Sequence, residues 1–247
     1  MLLAMKLKAA LAALALASPF ATTAVTPSDT MPSTQEFAAL KAEDFPYRIA
    51  GDFSRDGKPA AAPLRRMQLG SSLEIMTRQV TAAEYARCVD DGGCPQIPLA
   101  STAKDMPMVG VSWRDATAYA RWMTKTTGKL HRLPTDEEWV FAAADKATDD
   151  VLPVIGTADP VKAWIARYEA ETDRERPVVL EPQPVGAFGR NARGLQDVAG
   201  NVWEWTDTCF IRHDVDVSGA VRVTNVNCGV RVVQGAHRSY MTDFIRD

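Results

Sequence analysis

The chain has 247 residues, 46% of them hydrophobic, which is enough for one sizeable core. Its formal net charge is −3 and it carries no basic block, so nucleic acid is not an expected partner. After the N-terminal stretch no apolar run is long enough to span a membrane.

Residues 1–24, "MLLAMKLKAALAALALASPFATTA", have the three parts of a secretory signal peptide. Lys6 and Lys8 form the positive region, Ala9 to Ala17 the short apolar core, and small residues follow. Loss of this segment takes the formal charge from −3 to −5, because it removes two lysines and no acid. The mature protein is expected to be periplasmic or secreted. Residues 25–60 read as a linker and turn-rich lead-in, with Pro27 and Pro32 in polar surroundings and "GDFSRDGKPAAAPLRR" as a run of turns. The remaining residues, 61–247, read as the domain.

"LEIMTRQVT" reads as a strand. It leads into a helix that Thr81 and Glu84 start as a capping box, each satisfying a free N–H of the first turn. The device recurs at Ser112 and Asp115, opening a helix that Gly128 ends, and at Thr135 and Glu138. In the middle helix Trp113, Ala116, Ala120 and Met123 share one apolar face. A fourth helix is expected over 159–176, with Asp159 as cap, Pro160 at its first position and Val161, Trp164, Ile165 and Tyr168 as its buried stripe. From Val178 onward the pattern predicts loops and short strands.

Export makes the four cysteines readable as disulfides. Three pairings are open. The local one, Cys88–Cys94 with Cys209–Cys228, is favoured: "CVDDGGC" has glycines that turn the chain back, and Cys209 to Cys228 reads as a hairpin around Ser218-Gly219. No CxxC spacing and no adjacent His argue for a metal or redox pair instead.

Familiar catalytic motifs are missing. There is no Walker A loop, HExxH or GxSxG, and "GAFGRNARG" lacks dinucleotide-binding spacing. A three-histidine metal centre would need His131, His213 and His237 together, although they are scattered. The densest stretch is "LQDVAGNVWEWTDTCF". Backbone carbonyls of Gly200 and Val202, the Glu204 carboxylate and an oxygen of Asp197 form a hard-oxygen set that suits Ca²⁺. The alternative is plain structure, with Asp197 serving a turn and Glu204 paired to an arginine or an N–H. Trp203 and Trp205 read as core.

Three ordered blocks carry a resemblance. "GLQDVAGNVWEWTD", "RQVTAAEYARCV" and "PMVGVSWRDATAYARWMTKTTGKLHRLPTDEEWVFAA" resemble segments of the formylglycine-generating enzyme family, also called sulfatase-modifying factors. The resemblance implies an α+β fold, a C-type-lectin-like variant with low regular secondary structure. It assigns the family's Ca²⁺ site to Asp197, Gly200, Val202 and Glu204, and a second Ca²⁺ site finds no matching pair here. The family's copper is held by two cysteines in a segment like "CHRSYC". This chain reads "AHRSYM", with Ala236 and Met241 at the thiol positions, so copper and formylglycine formation are not expected. The aligned active-site candidates are His237, Arg238, Ser239 and Tyr240. The chain is most similar to an exported bacterial branch that includes proteins of pyoverdine maturation and nitrite-reductase gene clusters. The family's last "GFR"-type strand is expected further on than "MTDFIRD". The resemblance implies oxidative maturation of an exported peptide or protein. The alternative is a non-catalytic binding or accessory module, or a pseudoenzyme, of the same fold.

Overall fold

The computed structural model describes residues 36–98, 103–147, 162, 165 and 181–246. The signal-peptide reading of 1–24 lies outside them. Six short strands come first: β1 (Phe37–Leu40), β2 (Asp44–Arg48), β3 (Asp52–Arg55), β4 (Lys58–Pro59), β5 (Leu64–Gln68) and β6 (Leu73–Met76). Helices α1 (Ala82–Asp90), α2 (Trp113–Thr127) and α3 (Asp136–Ala143) follow. A long hairpin of β7 (Glu204–Val215) and β8 (Val221–Gln234) and the short β9 (Ser239–Thr242) complete the domain.

The five-stranded sheet runs β4-β3-β7-β8-β9, and β1-β6 and β2-β5 make two separate ribbons. Its one parallel contact, β3 with β7, brings the first part of the chain beside the last. That contact corrects the lead-in reading. The stretch expected to be turns over 51–66 contains β3, β4 and the start of β5, with Phe53 buried against the sheet. β6 is shorter than the predicted strand and ends at Met76. Of the short strands expected after Val178, β9 is one, but β7 and β8 are long, with 12 and 14 residues. The long pair turns at Gly219, whose φ of 84° needs a residue free of Cβ strain, while Asp216 Oδ1 accepts the Ser218 and Ala220 N–H groups.

All three capping boxes form with both hydrogen bonds, and Gly128 closes α2 in the left-handed conformation. Of the fourth helix only Lys162 and Ile165 are described. Both are helical, but Ile165 is exposed rather than part of a buried stripe. The rest of that helix lies outside the described residues.

The disulfides are Cys88–Cys94 and Cys209–Cys228. Cys88 sits in one core cluster with Tyr85, Tyr119 and Met123, between α1 and α2. A second cluster joins Phe45, Tyr47, Phe141 and Leu195, between β2 and α3. Across the sheet, facing pairs alternate sides. Gln234 and Thr208 bond Asp136 of α3, whereas Trp205 bonds the Val111 carbonyl just before α2. The sheet therefore carries α3 with β2 on one face and α2 on the other. No described helix is long and apolar enough to cross a membrane.

Candidate functional site

β9 and the turn before it distribute the four aligned candidates. Arg238 pairs with Asp136 at 2.9 Å. Asp136 is fully buried and also receives the Tyr47 hydroxyl at 2.7 Å and the Gln234 amide at 2.5 Å. The Tyr240 hydroxyl accepts the Gly51 N–H at 2.6 Å, and its ring meets Phe210 edge-on at 5.1 Å. Burial pushes the Tyr240 phenol above its ordinary range. It therefore stays protonated at neutral pH and is a weak acid for proton transfer. Ser239 faces Val233 of β8 in register, on the opposite side from Tyr240. His237 packs edge-on against Trp203, with ring centroids 4.7 Å apart. The four residues thus split, with Arg238 and Tyr240 on one side and His237 away from them beside Trp203.

Arg238 and Tyr240 line an open cleft of about 1020 Å³. Its walls come from β2, β3, β4 and the segment that follows it, the end of α3 and the β7–β8 ribbon. Phe53, Phe141, Ile49 and Val140 give it apolar surface, and Arg48, Arg193, Arg212 and His213 add polar groups. Arg193 stacks on Phe141 with 3.6 Å from Cζ to centroid and pairs with Glu43 at 3.2 Å. Sequence reading missed this cleft because its residues come from five distant segments. Asp136 was legible only as the first residue of a helix, and His213 only as one of three scattered histidines.

At the former thiol positions, Met241 pairs in register with Arg231, whose guanidinium stacks on Trp113 at 3.9 Å from Cζ to centroid. This is the α2 face, not the face of the cleft.

Trp203 departs from its reading as core. It is 38% exposed, held between His237 and Gly235, where a Cβ would come within 3.2 Å of its ring. Trp205 is partly buried and donates to the Val111 carbonyl.

Along the "DVAGN" loop every second residue has a left-handed backbone. Asp197, Ala199 and Asn201 have φ of 59°, 61° and 60°, a region that Asp and Asn tolerate and Ala resists. Asp197 is 1% exposed and its carboxylate accepts the Gly186 and Phe188 N–H groups. Glu204 accepts from Gln79 Nε2 at 2.9 Å and Trp139 Nε1 at 2.8 Å. Gln79 in turn receives the Asn201 amide at 3.1 Å, which ties the loop to the strand that follows. Burial pushes the Glu204 carboxyl up; the Gln79 and Trp139 bonds oppose this, and the charge of Asp197 adds to it. Among the described residues neither carboxylate has a cationic partner. Among them, too, no three His, Cys, Asp or Glu side chains converge as a metal site. A cation here would need backbone carbonyls beside the two carboxylates, which is the donor set of Asp197, Gly200, Val202 and Glu204. A buried and a half-buried carboxylate without a countercharge fit a hard divalent ion.

The fold and the "GNVWEW" loop define a class, and sequence comparison gives it a family. The sequence model described as "Sulfatase-modifying factor enzyme 1-like domain" matches residues 28–247, and the chain belongs to this family. It is 39% identical over 113 residues to the formylglycine-generating enzyme of Mycobacterium tuberculosis, covering 43% of this chain and 35% of that protein. It is 37% identical over 116 residues to "Inactive C-alpha-formylglycine-generating enzyme 2" of Bos taurus, covering 46% of this chain and 36% of that one. The matches therefore span about a third of the length of these curated relatives. Among solved structures, PvdO from Pseudomonas aeruginosa superposes with a TM-score of 0.58 at 21% identity, over 86% of this chain and 90% of that one. Treponema denticola variable protein 1 gives 0.52 at 16% identity, over 87% and 96%. At these identities the structural matches show the fold: the formylglycine-generating enzyme fold expected from the sequence.

Proposed function

We propose that this chain is an exported family member that engages a peptide or protein in the cleft beside β9 and acts in its oxidative maturation, with dioxygen as the oxidant. One observation carries this reading. The segment aligned with the family's active site sends two of its side chains, Arg238 and Tyr240, into a cleft large enough for a peptide. Two disulfides suit an oxidising compartment. Formylglycine chemistry is not proposed, because Ala236 and Met241 offer no thiolate for copper. We also propose a structural Ca²⁺ held by Asp197, Gly200, Val202 and Glu204. It would neutralise the two carboxylates and fix the strained loop.

A second reading, a non-catalytic accessory module, is favoured by how Arg238 and Tyr240 are used. One is held in a buried ion pair and the other accepts a backbone N–H. The test is to immobilise the full-length protein, capture exported partners, and follow oxygen uptake and partner mass. A change in partner mass with oxygen consumed supports maturation. A partner retained at unchanged mass supports the module. Absence of any retained partner overturns both.

A further inference from the structure

Adjacent residues of a regular strand point to opposite faces, yet Arg212 and His213 both line the cleft. The β7–β8 register shifts between these two residues, and the resulting bulge re-aims the strand. His213 is only 5% exposed and stacks flat on Phe53 at 4.3 Å. Its Nδ1 is buried without a hydrogen-bond partner. Such an atom costs free energy unless something fills its valence.

A second group with unspent capacity lies next to it. The Tyr240 hydroxyl accepts from Gly51, and its own proton has no acceptor among the described residues. A Cβ on Gly51 would lie 3.1 Å from His213 Cε1, so Gly51 joins the two side chains. Arg212 completes the corner. Its guanidinium lies 5.9 Å over Phe210, the ring that meets Tyr240, and it has no carboxylate partner among the described residues. Arg238 stands on the same wall, its charge balanced by Asp136. One exposed cation and one phenolic donor thus line the same cleft beside apolar walls, with the His213 ring packed beneath them.

Resting on the reading of the cleft as the peptide site, we propose that Arg212 and Tyr240 form a carboxylate-binding subsite beside the buried His213 ring. It takes an acidic side chain or a terminal carboxylate of the bound peptide, while the phenylalanine-lined walls take its apolar neighbour. A carboxylate is the ligand that uses both groups: it accepts from the guanidinium and from the phenol at once, while the buried His213 ring, stacked on Phe53, forms the floor beside them.

Calorimetry on the full-length protein with three synthetic peptides tests this: acetyl-Ala-Glu-Phe-amide, acetyl-Ala-Gln-Phe-amide and acetyl-Ala-Gln-Phe with a free C-terminus. The glutamate peptide, or the free acid, is expected to bind at least about tenfold tighter than the neutral amide, the scale of one charge-assisted bond. Which of the two does so identifies the source of the carboxylate. Arg212→Gln lies on the exposed rim and should fold, and it should erase the preference between charged and neutral peptides. Equal affinity for all three peptides, no binding of any, or a preference that survives Arg212→Gln overturns the subsite. If Arg212→Gln keeps its preference but still changes the mass of a captured partner, the subsite fails and the maturation reading stands.

Discussion

Arg238 reaches the carboxylate of Asp136 at 2.9 Å, inside a wall where Asp136 is fully shielded from water. This bond connects the first residue of α3 to the family's active-site segment across 102 positions of sequence. Tyr47 and Gln234 complete the carboxylate's shell, so β2, α3, β8 and the turn before β9 meet at one side chain.

Asp136→Asn should therefore cost about 3–5 kcal/mol, because it removes the charge from one side of a largely buried ion pair. Urea denaturation measures it. Coupling to Arg238→Met should show as a double variant less destabilised than the sum of the singles. A loss below about 1 kcal/mol in Asp136→Asn, the range of an exposed pair, would show that solvent already screens the bond.

The capping boxes set the response to acid. Burial pushes Glu84 and Glu138 up, but the bonds from Arg78 and Arg132 and from the helix-start backbone outweigh it and leave both below the ordinary carboxylate range. Asp115 behaves alike, with burial opposed by Arg246 and Ser112. A carboxyl lowered in the folded state contributes fully above its unfolded pKa and loses that contribution as pH falls through the folded value. Stability should thus hold from pH 7 to about 5 and fall steeply below about 4. Glu84→Gln keeps the capping geometry and should flatten the acid limb. An unchanged limb in that variant would remove Glu84 from the account.

Glu204 has the opposite sign. Its carboxyl is raised, first by burial, so it contributes stability that is present below its unfolded pKa and lost as pH rises through the folded value. Calcium binds the charged form and should cancel that loss. At about a hundred times Kd, calcium is expected to add about 2.7 kcal/mol, a Tm increase of roughly 5–10 °C. Thermal melts with calcium, with magnesium and with chelator measure this, and Glu204→Gln should show no calcium increment. Superimposable melts of the parent protein would end the Ca²⁺ proposal.

The helices were legible because each begins with a side-chain device that spans three residues. Cys209 and Cys228 were legible because a turn at Ser218-Gly219 sets them opposite each other. The cleft was not. Its Arg212–His213 bulge depends on the register of β7 against β8, which alternation in "CFIRHDV" does not encode. β3 reads as turns because "DFSRDG" has one large apolar residue, Phe53, and its partner in the sheet lies 160 positions away, at His213. Trp203 misleads for a similar reason. Two tryptophans separated by one residue suggest one buried face, but Trp203 precedes β7 and lies at its edge, 38% exposed, against His237 and Gly235.

The two disulfides should differ in weight. Cys209–Cys228 closes a sequence separation of 19 and Cys88–Cys94 one of 6. Loop-closure entropy alone assigns them about 3 and about 2 kcal/mol. Replacing each pair with alanine and measuring denaturation midpoints checks the order. Cys88 is fully buried in the α1–α2 cluster, so its replacement also loses packing there. A larger loss for the short loop would mean that this packing exceeds the entropic difference.

Gly51 is the position where backbone and cleft are coupled most tightly. Its φ is 116°, and a Cβ there would overlap the Ile211 carbonyl of β7. Neither the backbone nor that carbonyl can yield without displacing the β3–β7 pairing. Gly51→Ala should cost about 3 kcal/mol or more, combining a strained φ with the overlap. Tyr240→Phe removes only the hydroxyl that accepts the Gly51 N–H and keeps the ring against Phe210, so its cost should be about 1–2 kcal/mol. Hydrogen exchange separates the two effects. In Tyr240→Phe the Gly51 amide should exchange faster while the amides of β7 and β8 keep their protection. Uniformly faster exchange across the sheet would mean that the hydroxyl supports the whole ribbon rather than this one turn.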